Sequence, residues 1–118
     1  FNPTNNYIGM PDKTSFPKLS DYYSTLFHEL GHWSGHKDRL DRKLSGRYGT
    51  KDYAFEELVA EITSCYLAIN NQVEKVATPN HAKYLNSWVG LLKDNPKAMQ
   101  EAFTQAQQAC DYLQGLQM

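Results

Sequence analysis

The chain has little of what would place it in several large classes of protein. Its two cysteines, Cys65 and Cys110, are too few among 118 residues for a small disulfide-stapled scaffold. Both fall in helical patterns and read as buried thiols of a protein kept in a reducing, cytoplasmic compartment. No apolar run approaches the ~20 residues needed to cross a bilayer, and no signal-peptide pattern opens the sequence. A formal net charge of −1 gives no overall attraction to nucleic acid or to a membrane surface. Internal repeats and low-complexity segments are missing as well. So is an initiating methionine: the chain opens at Phe1, as the C-terminal part of a longer protein would.

What is there suits a globular unit. Hydrophobic residues make up 41% and charged ones 21%, enough apolar surface for a core, and the length fits one domain over residues 1–118. The first twenty residues carry Pro3, Gly9, Pro11 and Pro17, too much punctuation for a helix. Within them Tyr7-Ile8-Gly9-Met10 reads as a short strand stopped by Pro11, with an edge that could pair with an extended peptide.

Four helices follow. Ser20 and Asp21 offer capping oxygens for the first, which runs to about Gly35 with an apolar stripe of Tyr23, Leu26, Phe27 and Leu30. Residues 36–51 read as a loop, and Asp52 as the cap of a second helix to about Asn70. That helix carries a stripe of Phe55, Leu58, Val59, Ile62, Tyr66 and Ile69. Thr78-Pro79 and Asn95-Pro96 each pair a cap with proline at the first helical position and open the third and fourth. Leu85, Trp88, Val89 and Leu92 form the apolar side of the third, and Met99, Ala102, Phe103, Ala106, Cys110 and Leu113 that of the fourth. The expected fold is mainly α (α+β): four helices with one short strand or small sheet near the N-terminus.

The chemistry concentrates at residues 28–32, His-Glu-Leu-Gly-His. Side chains four apart on a helix lie one above the other, so His28 and His32 can present imidazole nitrogens to one tetrahedral zinc, Zn2+. Glu29 lies about 100° round the helix, where it could serve as general base to a water on that metal. The same ligands would also take cobalt or manganese.

A third ligand has two sources. Gly35 and Asp38 extend the motif to His28-Glu29-x-x-His32-x-x-Gly35-x-x-Asp38, a metzincin-like layout with aspartate in the last place and no methionine turn after it. The second helix offers Glu57, with Glu61 four residues on and able to hydrogen-bond a ligand histidine and fix its tautomer. Ala60 between them would let the two helices cross closely. Glu57 is preferred, Asp38 is the alternative, and Glu56, about 100° away on the wheel, ranks third.

Tyr22-Tyr23-Ser24-Thr25-Leu26-Phe27-His28-Glu29-Leu30-Gly31-His32-Trp33-Ser34-Gly35-His36, then Arg39-Leu40, then Tyr53-Ala54-Phe55-Glu56-Glu57-Leu58-Val59-Ala60-Glu61 resembles one family closely. It is similar to the zincin-like C-terminal domain of antirestriction proteins of the ArdC type. Related metallopeptidase domains occur in TraC-type primases and in phage polyvalent proteins. His81-Ala82-Lys83-Tyr84 with Trp88, and Ala106 through Asp111-Tyr112-Leu113, resemble the family's final helix pair.

The resemblance implies a gluzincin-like centre with Glu57 as third ligand, hydrolysis of peptide bonds in a peptide or protein substrate, and a setting in mobile genetic elements. It also implies an N-terminal single-stranded-DNA-binding domain that this chain does not carry. Without that partner, the alternative is a non-catalytic module that zinc stabilises and that assists a DNA-binding antirestriction domain.

Three other features are assigned bland roles. The basic run Lys37, Arg39, Arg42, Lys43, Arg47 and Lys51 reads as a solvated loop, relieved by Asp38 and Asp41. His36 falls past the first helix, at its rim. His81 and Tyr84, residue types that can stabilise an oxyanion, read as structural.

Overall fold

Thr50 and Asn95 mark where the two longest helices start. The Thr50 side chain accepts the Tyr53 backbone N–H at 3.2 Å and that of Asn95 accepts the Ala98 N–H at 3.1 Å, each satisfying a donor that the first helical turn leaves unpaired. In the computed structural model, which describes residues 1–74 and 79–116 (backbone alone for 79–81), four helices are present: α1 Leu19–Trp33, α2 Lys51–Asn70, α3 Pro79–Leu92 and α4 Pro96–Gly115. The Thr78 cap expected for α3 lies outside the described residues.

Two expected caps move. Helix α1 begins at Leu19, before Ser20 and Asp21, with Lys18 flanking it and no side-chain cap. Asp21 instead sits in the first turn, where its charge meets the positive end of the helix dipole. Asp52 likewise lies inside α2, because Thr50 takes the capping place; its carboxylate holds Lys43 Nζ at 2.8 Å.

The strand expected at Tyr7–Met10 is not formed, and the described residues contain no strand. Asn2 and Tyr7 make one isolated antiparallel bridge, closing a turn in which Asn6 takes a φ of 55°. A four-residue run stopped by Pro11 gains nothing from extending unless another strand lies beside it, and only this single bridge is available. Among the described residues the fold is therefore mainly helical, with loops and turns between the helices and no sheet.

Helix α2 is the axis. One core cluster gathers Leu58 and Val59 of α2 with Trp88 and Leu92 of α3 and Ala102 and Ala106 of α4. A second joins Leu67 to Cys110 and Leu113, with Phe27, Leu30 and Trp33 of α1 against it. Because α2 is covered on several sides, it also buries Ala54, Ala60, Thr63, Ser64 and Ala68, which no single stripe includes. The stripes overreach at their edges: Ile69 is 73% exposed, Phe103 50% and Val89 38%.

The contact that positions everything downstream is that of α1 with α2. A Cβ built on Gly31 would stand 2.8 Å from Ala60 Cα and 3.1 Å from its carbonyl oxygen, so the two backbones touch. Gly31→Ala should therefore destabilise the protein by about 1–3 kcal/mol through overpacking, although alanine is the better helix former. Gly90→Ala, into open space on α3, should be neutral or stabilising by about 0.5–1 kcal/mol. Urea denaturation of both variants checks the pair; equal effects would mean that the Gly31 contact does not constrain the crossing.

Candidate metal centre

His28 and His32 lie on either side of Gly31, one helical turn apart, so the closest approach of the helices falls between them. Opposite, α2 presents Glu56, Glu57 and Glu61 on the flanks of Ala60. The two Nε2 atoms turn toward each other, 3.1 Å apart. Glu57 faces both, its Oε2 3.1 Å from His28 Nε2 and its Oε1 3.3 Å from His32 Nε2. One ligand atom from each of the three lies within 4.8 Å of the others, a donor set of two imidazoles and a carboxylate that fits a divalent cation such as zinc.

The outer nitrogens are also engaged. His28 Nδ1 is 3.0 Å from Glu61 Oε2, and His32 Nδ1 is 2.9 Å from Glu56 Oε2. Each ring thus has a carboxylate on its far side, the arrangement that fixes a ligand histidine's tautomer. Burial by itself would lower the pKa of His28, but hydrogen bonds to Glu57 and Glu61 raise it overall. For His32 burial also acts downward, and Glu56 and Glu57 override it to about 9. Glu57 is pulled well below the usual carboxylate range: burial opposes this, and its bonds to the two histidines prevail.

Glu29 points into the same space. It lines a cavity of about 430 Å3 together with His28, His32, Glu57, Tyr53, Leu44 and Gly46, and its carboxylate accepts from the Phe1 amino group. Asp38 is not part of the cluster. Its side chain is 71% exposed and lies 3.7 Å from His36 Nδ1. His36, past the end of α1, is buried rather than at a rim; its Nδ1 accepts the Asp38 N–H at 3.1 Å. Tyr84 is half exposed and stacks on Trp88 with ring centroids 6.1 Å apart, while the His81 side chain lies outside the described residues.

Two residues at the site, Glu56 and Arg42, take roles other than those expected from the sequence. Glu56 ranked third as a ligand, and it stands behind His32 instead. Arg42 belonged to the supposed solvated loop, yet its side chain is 7% exposed and bonds Glu56. Arg39 also turns inward, its guanidinium 3.7 Å above the Trp33 ring, whereas Lys37, Lys43 and Arg47 are exposed as expected. Tyr53, one turn before Glu57 on α2, lines the cavity, and burial and then Glu57 push its pKa up to about 12. Its spacing from Glu57 was the available signal for it; nothing in the charge run marked Arg42 as different.

Residues 1–106 match the family described as Zincin-like metallopeptidase, MPTase-PolyVal. The uncharacterized protein y4eC of Sinorhizobium fredii (strain NBRC 101917 / NGR234) is 38% identical over 117 residues, covering 99% of this chain and 38% of that protein. A DNA primase TraC of Escherichia coli is 39% identical over 114 residues, 96% of this chain and 11% of the primase. Among solved structures, the Mn(II)-bound antirestriction ArdC protein from plasmid R388 superposes with a TM-score of 0.83 at 44% identity, over 98% of this chain and 43% of that one. The metal-free structure of the same protein gives 0.79 at 44% identity, over 97% and 41%. The chain thus spans less than half the length of each of these proteins.

The titration of His32 has a direct consequence for the protein stripped of metal. A histidine whose folded pKa lies above its unfolded value of 6.5 stabilises the fold fully below 6.5, and that contribution is lost as pH rises through about 9. In chelator, thermal midpoints of the wild type should fall relative to those of His32→Gln between these two values. A difference that is flat with pH would show that His32 is not held by its carboxylates.

Proposed function

The chain belongs to the zincin-like metallopeptidase family, and from that premise we propose that it is a zinc-dependent hydrolase of peptide bonds with a gluzincin-type centre. His28 and His32 hold the ion through Nε2, Glu57 supplies the third ligand, and Glu61 orients His28 from outside the coordination sphere. The observation that carries this reading is the convergence of the two Nε2 atoms and the Glu57 carboxylate on one point, beside Glu29 in the same cavity. The Mn(II) of the ArdC relative supports a divalent ion in a centre of this kind.

A divalent ion held there supplies Lewis acidity, which lowers the pKa of water and polarises a carbonyl. The remaining work falls to the chain. Glu29 is the general base: its carboxylate accepts a proton from the attacking water and can return it to the leaving amine. Glu56 and Glu61 accept from Nδ1–H and so turn the Nε2 lone pairs of the two rings toward the point they share with Glu57. Tyr53, held beside Glu57 and facing the cavity, stays a neutral hydrogen-bond donor at physiological pH.

A second reading comes from the proportions of the relatives. Each is more than twice as long as the part matched here, so in such proteins this unit works beside other parts. In that reading zinc holds the helices together, the module cleaves nothing, and a DNA-binding domain elsewhere in the polypeptide carries the antirestriction role.

Two experiments test the proposal. Glu57→Ala should strip the protein of zinc under dialysis that leaves Asp38→Ala fully loaded, as read by metal analysis. The opposite order would transfer the third ligand to Asp38. In the loaded protein Glu29→Gln should retain the metal while peptide cleavage falls by roughly 10²–10⁴-fold. Unchanged cleavage would remove Glu29 from the mechanism, and no cleavage by the wild type across a peptide library would favour the second reading.

A further inference from the structure

Two of the most buried charged side chains stand one step behind the ligand atoms. Arg42, from the loop between α1 and α2, has a side chain 7% exposed, and that of Glu56 on α2 is 9% exposed. Arg42 grips Glu56 with two prongs, Nε to Oε1 at 2.9 Å and Nη2 to Oε2 at 3.1 Å. The same guanidinium donates to Ser34 Oγ at 3.0 Å and to the Gly31 carbonyl at 2.6 Å. The Oε2 that takes the second prong also faces His32 Nδ1 at 2.9 Å. A continuous chain of charged hydrogen bonds therefore runs from the loop to an imidazole of the metal centre.

The backbone is shaped to deliver Arg42. Asp41 adopts a φ of 54°, a left-handed turn uncommon outside glycine, asparagine and aspartate. The N–H groups of Leu40, Asp41 and Arg42 donate to the carbonyls of Ser34, His36 and Gly35 and fold the segment back on the end of α1. A cation there also meets the negative end of that helix.

We propose that Arg42 is a positioning residue for the metal centre: by holding the Glu56 carboxylate in one orientation, it fixes His32 with Nδ1–H on Glu56 and Nε2 turned to the point shared with His28 and Glu57. The inference rests on those three residues holding the ion. A guanidinium is always charged, so it gives a buried carboxylate a permanent partner whatever the state of the histidine. A neutral imidazole carries one N–H; holding it at Nδ1 leaves the lone pair at Nε2. Lysine would supply the charge without the planar fork that spans both Glu56 oxygens. The loop that carries Leu44 and Gly46 to the cavity wall is tied down by the same bonds.

The test is a double-mutant cycle in metal affinity. Wild type, Arg42→Met, Arg42→Lys, Glu56→Gln and the Arg42→Met/Glu56→Gln double variant would be titrated with Zn(II) and Mn(II) by competition. Visible spectra of the Co(II) forms would be recorded alongside. Arg42→Met should weaken binding by about 10–100-fold and shift the Co(II) bands, with Arg42→Lys between it and wild type. The double variant should lose no more than the worse single variant, since both act through one imidazole. Losses that multiply, or an Arg42→Met protein with wild-type affinity and spectrum, overturn the inference. Should Arg42→Met not fold, Arg42→Lys decides in its place, and wild-type affinity and spectrum in it overturn the inference equally. A wild type that takes up no divalent ion overturns the metal reading and this one together. Binding by the wild type with multiplying losses overturns this one alone.

Discussion

The approach of α1 to α2 at Gly31 and Ala60 is the constraint from which the rest follows. With the backbones in contact there, side chains one step to either side on each helix are forced to meet: histidines from α1, glutamates from α2. Any larger residue at position 31 would push the helices apart along the line where the Nε2 atoms and Glu57 converge. The glycine of the His-Glu-Leu-Gly-His run thus has a structural task that its neighbours' chemistry presupposes. Ala60 mirrors it from the other helix, small because a carboxylate flank on both sides needs a low ridge between.

Such a crossing concentrates charge. Three carboxylates, two imidazoles and a guanidinium share a partly buried volume, and breaking one member out of a buried pair costs about 3–5 kcal/mol because the remaining charge is left uncompensated. In the metal-free protein, protons on the histidines provide that compensation, which is why their pKa values rise against the pull of burial. A cation in their place does the same task with more charge in less space. The cluster is consequently a folding element, and under the proposed reading ion binding and fold stability are linked through it.

Much of this was legible in the sequence, for identifiable reasons. The histidine spacing, the glutamate pair on the next helix and the small residue between them are local patterns, and helical geometry converts them directly into a shared face. The Asn95-Pro96 start of α4 is equally local. What escaped depends on the third dimension. Ile69 continues its stripe past the end of the packed surface, and Phe103 lies at the edge of its own, beside the buried Ala102. Arg42 looks like its basic neighbours, because what sets it apart is the left-handed turn at Asp41 and the carbonyls of α1 waiting behind it. The N-terminal strand failed for a simpler cause: a short run with a proline stop makes a strand only where another lies alongside.

The missing strand changes how a substrate would be recognised under the proposed reading. An extended peptide laid beside a sheet edge is held mainly by its own main chain, which makes recognition tolerant of sequence. Among the described residues no strand edge borders the cavity, whose walls include Phe1 and Pro3 beside the lone Asn2–Tyr7 bridge, Leu44 and Gly46 from the segment that Arg42 anchors, and Tyr53 from the first turns of α2. A peptide bound there would have to be gripped through its side chains, or positioned by parts of the polypeptide that lie outside this unit, as the greater length of the relatives permits. Either way, order in the 36–46 loop becomes a condition for binding as well as for the centre. The residue that ties that loop to α1 is the same one that steadies His32, so loss of order on the substrate side and loss of the metal side would occur together.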